Sequence, residues 1–150
     1  MKLLIITQKV DINDDVLGFF HRWIEEFAKH CEKITVICLQ KGEYNLPENV
    51  KILSLGKEKY NFQSISNFQI FQKIKYLRLF YRYIWREKKN YDAVFIHMNS
   101  EYAVLGGLFW KLWNKKIYLW YVHRVANLTL KLAEKLVEKI FTASPESCRL

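Results

Sequence analysis

Apolar and polar positions follow two rhythms along this chain. Lys2–Thr7 carries a near-continuous apolar run, the pattern of a strand buried on both faces. Ile34–Leu39, Val50–Leu55, Asp92–His97, Ile117–Val122 and Lys139–Ala143 repeat it. Between these runs the apolar residues recur at three- and four-residue steps. Leu17, Phe20, Ile24, Phe27 and Ala28 mark a first helix, with Asp14 or Asp15 as its N-cap. Further helices are predicted over Ser64–Lys89, Tyr102–Trp113 and Ala126–Glu138, and Gly106-Gly107 is expected to let its helix pack closely on the sheet. Lys41-Gly42 and Pro47-Glu48-Asn49 supply the turns between the second and third strands. Strand and helix alternating this regularly predict an α/β fold: a Rossmann-like parallel sheet of about six strands flanked by helices, with right-handed crossovers.

A length of 150 residues suits one such domain, and a 51% hydrophobic composition is ample for its core. The net charge of +9 adds a preference for anionic partners, whether phosphate, nucleic acid or an acidic membrane surface. No RNA- or DNA-binding motif accompanies the charge, so nucleic acid is not an expected partner. The cysteines, Cys31, Cys38 and Cys148, form no Cys-x-x-Cys pair and read as buried or incidental thiols of a reducing compartment. MKLLIIT is too short for a signal peptide. The stretch Ala103–Trp113, interrupted by Lys111, falls short of the roughly 20 residues a bilayer span needs. The expected location is cytoplasmic, free or peripheral on the inner face of the cytoplasmic membrane.

Ligands of doubly wound sheets sit beyond the carboxyl ends of the strands. Gln8–Gly18, His97–Glu101, His123-Arg124 and the chain from Ser144 onward fall there. His97 and His123 are candidates for hydrogen-bonding or electrostatic work, or polar residues that merely end strands. Glu101 is either a carboxylate base or an acidic residue suited to a first helical turn. Gly18 opens the first helix, where backbone N–H groups face outward toward a phosphate. Asp11, Asp14 and Asp15 are read as capping and solvated residues, and no metal is expected. His21 and His30, on the first helix, are expected at the surface or an interface. No Gly-x-Gly-x-x-Gly follows the first strand, and neither a P-loop nor a Gly-x-Ser-x-Gly elbow occurs. A dinucleotide cofactor, P-loop chemistry and serine hydrolysis are therefore disfavoured, and no cofactor is expected.

At 100° per residue, Ile70, Ile74, Leu77, Phe80, Tyr81 and Ile84 share one face of the long helix. Lys75, Arg78, Arg82, Arg86 and Lys89 share another, roughly opposite, with Leu79 and Tyr83 flanking on one side and Trp85 on the other. A basic stripe bordered by aromatics suits the headgroup region of an anionic membrane. A solvated charged face with scattered aromatics has the same pattern.

Three segments resemble the N-terminal domain of GT-B fold glycosyltransferases of the large retaining group called family 4. They are MKLLIITQKVD with LGFFHRWIEEFAKH, then YDAVFIHMNSEYAVLGGLFWKLWNKKIYLWYVH, then LAEKLVEKIFTASPESCRL, together essentially the whole chain. The resemblance implies a nucleotide-sugar donor and metal-independent hexosyl transfer in a cleft between two domains. It implies an acceptor (glycan, glycolipid or cell-surface polysaccharide precursor) held mainly by this domain. It puts Gly18 near the donor phosphates and His123, as the catalytic residue, near the transferred sugar. Asp14, His97, Asn99 and Glu101 would surround the acceptor. Membrane docking would use Lys75, Arg78, Arg82, Trp85, Arg86 and Lys89. The chain departs from the family in having one Gly18 where many members have a glycine pair, and Arg124 where an aspartate is usual. Ser144-Pro145-Glu146 reads as a helix start. The expectation is that residues 1–150 form the acceptor-side domain of a longer enzyme, inactive without the domain that carries the nucleotide pocket. The alternative is a non-catalytic membrane-peripheral or anion-binding Rossmann-like module.

Overall fold

A computed structural model describes residues 1–59, 66–123 and 127–144, with the side chains of residues 66–68 left aside. The elements in chain order are β1 (Lys2–Val10), α1 (Gly18–His30), β2 (Lys33–Lys41), β3 (Val50–Ser54), α2 (Ser66–Arg86), β4 (Ala93–His97), α3 (Ser100–Leu112), β5 (Lys116–Trp120), α4 (Leu128–Glu134) and β6 (Lys139–Phe141). The strands form one parallel sheet in the order β3-β2-β1-β4-β5-β6. This is the Rossmann-like α/β arrangement.

The apolar run of β1 is continuous because both of its faces are covered. Leu3 and Ile5 enter a layer with Phe20, Ile24 and Ala28 of α1. Leu4 and Ile6 point the other way, into a layer with Phe80 and Ile84 of α2, Ala103 and Trp110 of α3, and Leu130 and Ala133 of α4. Successive side chains of a strand point to opposite faces, so one unbroken run serves both layers.

Several boundaries differ from expectation for physical reasons. β1 extends past Thr7 because Lys9 and Val10 pair with Gln40 and Lys41, and ladder hydrogen bonds need no apolar side chain. α1 starts at Gly18, and its N-cap Leu17 has no side-chain cap bond. Asp14 closes the preceding turn instead, its Oδ1 accepting the N–H groups of Val16 and Leu17 at 3.0 and 2.7 Å. α4 is shorter than its periodicity suggests. Asn127 Oδ1 caps it by accepting the Leu130 N–H at 2.8 Å, and the chain then turns so that the Glu138 N–H reaches the Ile117 carbonyl at 2.8 Å. Arg124, Ala126 and the expected helix from Pro145 lie outside the described residues, as does Cys148. Cys31 and Cys38 are free and buried, and burial pushes the Cys38 thiol up to about 12.

One expectation about a helix needs correction. The glycine pair of α3 does not serve close approach to the sheet. A Cβ on Gly106 would overlap the Trp110 ring of the same helix, and one on Gly107 would lie 3.0 Å from Leu136, beyond α4. The space is taken by one buried indole and by the α3–α4 contact. The apolar face of α2 is also only half used. Phe80 and Ile84 are 1% exposed, whereas Ile70, Ile74 and Leu77 are 59%, 49% and 38% exposed, because α2 meets the core only from its middle onward.

Trp110 is fully buried, and its indole N–H donates to Tyr91 Oη at 3.1 Å, whose hydroxyl donates to the Ile84 carbonyl at 3.0 Å. Gly106→Ala forces this ring to move. Overpacking costs about 1–3 kcal/mol and is offset by at most about 1 kcal/mol of helix propensity. Urea denaturation should show net destabilisation; a more stable variant would contradict the Gly106–Trp110 packing.

Candidate functional site

The site grows from the exits of β1, β4 and β5. His97 ends β4, and Met98 then takes a left-handed conformation with φ 68°, donating its N–H to the Trp120 carbonyl at 2.8 Å. Asn114, the other non-glycine residue with positive φ among those described, sits at a helix end where asparagine is favoured. Met98 has no such excuse, and a non-glycine residue held there costs on the order of 1 kcal/mol or more. The bend it imposes brings Asn99, Ser100 and Glu101 to the open edge of the sheet.

Polar contacts hold this turn. Gln8 Nε2 donates to Asn99 Oδ1 at 2.9 Å, joining the exits of β1 and β4, and Asn99 Nδ2 donates to the His97 carbonyl at 3.3 Å. Ser100 Oγ lies 3.0 Å from Thr129 Oγ1, and the Thr129 hydroxyl donates to Asn127 Oδ1 at 2.8 Å, tying the start of α3 to the start of α4. Beyond them opens a cleft of about 420 Å³ lined by Met98, Asn99, Ser100, Glu101, Tyr121, His123 and Asn127. Glu101 and His123 are exposed, and the His123 ring stands edge-on to Tyr121 with centroids 5.3 Å apart.

The structure thus gathers Asn99, Glu101 and His123 in one place. Asn127 joins them without having been singled out. Its signal was the N-cap position, an asparagine just before the Leu128–Leu132 periodicity.

His97, by contrast, is buried. Its side chain is 1% exposed, stacked on Phe20 at 3.8 Å between centroids and met edge-on by Phe19 and Trp23. Nδ1 lies 3.2 Å from Thr7 Oγ1, and Nε2 has no hydrogen-bond partner. Burial pushes its pKa down to about 4, so the ring is neutral at pH 7. It does not line the cleft and lies beneath the turn that Met98 makes.

Asp14 and Gly18 occupy a separate hollow of about 440 Å³ at the head of α1, lined also by Ile12, Phe19, His21, Arg22 and Glu25. It shares no lining residue with the cleft. The Gly18 N–H donates to the Asp14 carbonyl at 2.9 Å, and a Cβ there would sit 3.1 Å from the Ile12 carbonyl oxygen. Close approach of backbone therefore accounts for the glycine, and its N–H is already engaged. Lys9 Nζ lies 2.7 Å from Asp14 and 2.9 Å from Asp11. The Lys9 contact, followed by the Leu17 N–H, holds the Asp14 carboxyl down at about 2. Among the described residues no three His, Cys, Asp or Glu side chains gather as a metal-ion site.

Two further placements differ from expectation or refine it. His21, expected at the surface or an interface, is 2% exposed, and its Nε2 accepts the Asn45 N–H at 3.1 Å, pinning α1 to the β2–β3 connection. Of the basic stripe, Lys75, Arg78, Arg82, Arg86 and Lys89 are all exposed. Arg86 also has its Nε 3.2 Å from the buried carboxylate of Glu87, which Lys51 meets at 2.8 Å. Trp85 is 55% exposed, edge-on to Trp113 at 5.3 Å, with the Lys88 ammonium 4.7 Å above its ring. No helix among the described residues is long and apolar enough to cross a membrane.

No protein-family model matches the chain and no curated relative matches its sequence. Its fold is similar to that of MurG from Acinetobacter baumannii, with 15% identity and a TM-score of 0.57 over 100% of this chain and 43% of that one. It is similar to Anabaena HepE in complex with UDP, at 13% identity and 0.54 over 93% and 37%. It is similar to the UDP-GlcNAc 2-epimerase of Methanocaldococcus jannaschii, at 15% identity and 0.53 over 96% and 40%. The chain spans less than half the length of each. At these identities the likeness is one of fold, the Rossmann-like sheet of GT-B proteins.

The neutral His97 makes stability depend on pH. Unfolded, the imidazole titrates near 6.5; folded, near 4. Between those values the unfolded chain binds more protons, so this contribution is complete above about pH 6.5 and declines as pH falls toward 4, on the order of 3 kcal/mol across the window. Urea titrations at pH 7.5 and 5.0 should show the loss in the parent chain and a smaller one in His97→Phe. Equal losses would mean that His97 is not the group responsible.

Proposed function

We propose that this chain is the acceptor-side domain of a GT-B-type glycosyltransferase, which holds a saccharide acceptor while hexose is transferred from a nucleotide-sugar donor. One observation carries the reading: a carboxylate, an imidazole and two carboxamides converge in an open cleft at the carboxyl edge of the sheet. Sugar acceptors present hydroxyls, and Asn99 and Asn127 both donate to and accept from such groups. Glu101 is suited to accept the proton of an attacking hydroxyl, and His123 to meet charge that develops as the sugar leaves its phosphate. Asp14 and Gly18, at the head of α1, flank this cleft in the proposal, with Gly18 on the side of the donor phosphates. His97 is a positioning residue beneath the turn. The nucleotide in the HepE complex and the nucleotide-sugar in the epimerase's name support a donor of that class.

The same reading makes residues 1–150 one half of the active protein, of family 4 type, with nucleotide binding supplied by a second domain and no turnover by this half alone. It places the protein in the cytoplasm, on the inner membrane face, with Lys75, Arg78, Arg82, Arg86, Lys89 and Trp85 toward anionic lipid. A second reading, a peripheral module without catalysis, is favoured by the exposed Trp85 beside that basic face.

In the full-length protein, Glu101→Gln should lower nucleotide-sugar-dependent transfer by about 10²-fold or more, the range for loss of a general base. His123→Ala should lower it by at least tenfold. Both side chains are exposed, so denaturation midpoints should hardly move. Unaltered transfer in both variants would refute the cleft as the site. For docking, co-sedimentation with phosphatidylglycerol vesicles should fall with salt and with a Lys75/Arg78/Arg82 to Glu triple change. Binding indifferent to both would remove the membrane contact.

A further inference from the structure

The hollow at the head of α1 holds groups that the cleft chemistry does not use. The Asn45 N–H donates to His21 Nε2 at 3.1 Å, so that nitrogen carries no proton and the ring's proton sits on Nδ1. Nδ1 is buried and has no hydrogen-bond partner. It lies 3.5 Å from Oε1 of Glu25, and Glu25 lines the hollow, so the unanswered donor is on the hollow's side of the ring. A buried donor without an acceptor is unfavourable. Arg22 and Glu25 both line the hollow from one helix, three positions apart, a spacing at which opposite charges can meet. Yet Arg22 is exposed and forms no hydrogen bond or ion pair among the described residues. Asp14, the other carboxylate of the lining, is already held by Lys9. Ile12 and Phe19 supply the apolar wall and are each 48% exposed.

We infer that this hollow binds a small zwitterion, an α-amino acid with an apolar side chain. Its carboxylate takes Arg22 and the His21 Nδ1–H, its ammonium takes Glu25, and its side chain lies on Ile12 and Phe19. The Glu25 side chain is 42% exposed, so it can turn outward onto the ammonium and clear Nδ1 for the carboxylate. Both contacts are charge-assisted, the stronger class of hydrogen bond. Other occupants fit less well. A phosphate meets the carboxylates of Asp14 and Glu25, and the Gly18 N–H is already donated to the Asp14 carbonyl. A neutral sugar leaves Arg22 and Glu25 without opposite charge. A metal ion needs a lone pair on His21, but one nitrogen accepts from Asn45 and the other carries the proton. The volume of about 440 Å³ suits a small molecule. The site stands apart from the transfer reading, because hollow and cleft have no lining residue in common.

The test titrates L-phenylalanine and L-leucine calorimetrically into the 150-residue chain. Comparison ligands are glycine, 3-phenylpropanoate without the ammonium, 2-phenylethylamine without the carboxylate, inorganic phosphate and methyl glucoside. Both apolar amino acids should saturate, and glycine should bind more weakly. Removing either charged group from the ligand should weaken binding about tenfold or more, the scale of one hydrogen bond to a charged group. Arg22→Gln and Glu25→Gln should do the same to L-phenylalanine. Both side chains reach solvent, so unchanged thermal midpoints should accompany the loss. Glu101→Gln, in the cleft, should bind as the parent does. Nitrogen-15 NMR of His21 should find Nδ1 protonated in the free chain and its resonance displaced by L-phenylalanine, a shift that a purely structural histidine does not show.

Saturation by neither amino acid overturns the inference, as does an unprotonated Nδ1 in the free chain. Equal binding of 3-phenylpropanoate or phosphate also overturns it, making the hollow an anion site. Saturation by methyl glucoside alone gives the hollow to a sugar instead. The two readings fail separately. Absence of amino-acid binding leaves the cleft untouched, whereas transfer that does not depend on Glu101 leaves the hollow untouched.

Discussion

Burial of β1 on both faces is the constraint from which the rest of this structure follows. Leu3 and Ile5 need a layer on one side, Leu4 and Ile6 a layer on the other, and only a central strand can satisfy both. With β1 in the middle, β2 and β3 extend the sheet one way and β4, β5 and β6 the other. The direction of winding therefore reverses between β1 and β4, and the helices on either side of that reversal diverge. Open α/β sheets leave a crevice at such a point. Here the Gln8–Asn99 hydrogen bond spans it, and the cleft lies just beyond.

The crevice is kept open at a cost in backbone conformation. Met98 is held left-handed, and beneath it a neutral imidazole lies among aromatic rings with one nitrogen unpartnered. These features are individually unfavourable. They persist because stacking on Phe20, edge contacts from Phe19 and Trp23, and the Met98–Trp120 hydrogen bond over-determine the turn. What results is an exit from β4 that projects Asn99 and Glu101 outward at one angle. Those two residues then line the polar cleft at the edge of the domain.

Much of this was legible along the chain. Strands buried on both faces have an unmistakable apolar run, and residues just after them lie at the ligand-binding edge whatever the details. That reasoning puts Asn99, Glu101 and His123 at one edge of the sheet, and the structure gathers them in one cleft. Spacing treats His97 and His123 alike, and the fold separates them completely. Both close a strand's apolar run, but α1 lays Phe19, Phe20 and Trp23 over one and leaves the other exposed. The burial of His21 escapes local periodicity for the same reason: its partner, the Asn45 N–H, arrives from a connection 24 residues away. The face of α2 shows the limit of helical periodicity. Spacing says which residues share a face, but how far that face is covered depends on where the helix crosses the sheet.

The sequence alone determined the alternation of elements, the parallel sheet and which polar residues follow its strand ends, because these depend on local spacing and on the two-faced burial of each strand. Tertiary structure decided which of two strand-end histidines meets solvent, which glycine yields room to Trp110 and which to Leu136, and that Asn99, Glu101 and His123 share one cleft. Those outcomes depend on contacts between residues distant in the chain, and no local pattern of apolar and polar positions encodes the angle at which one element crosses another.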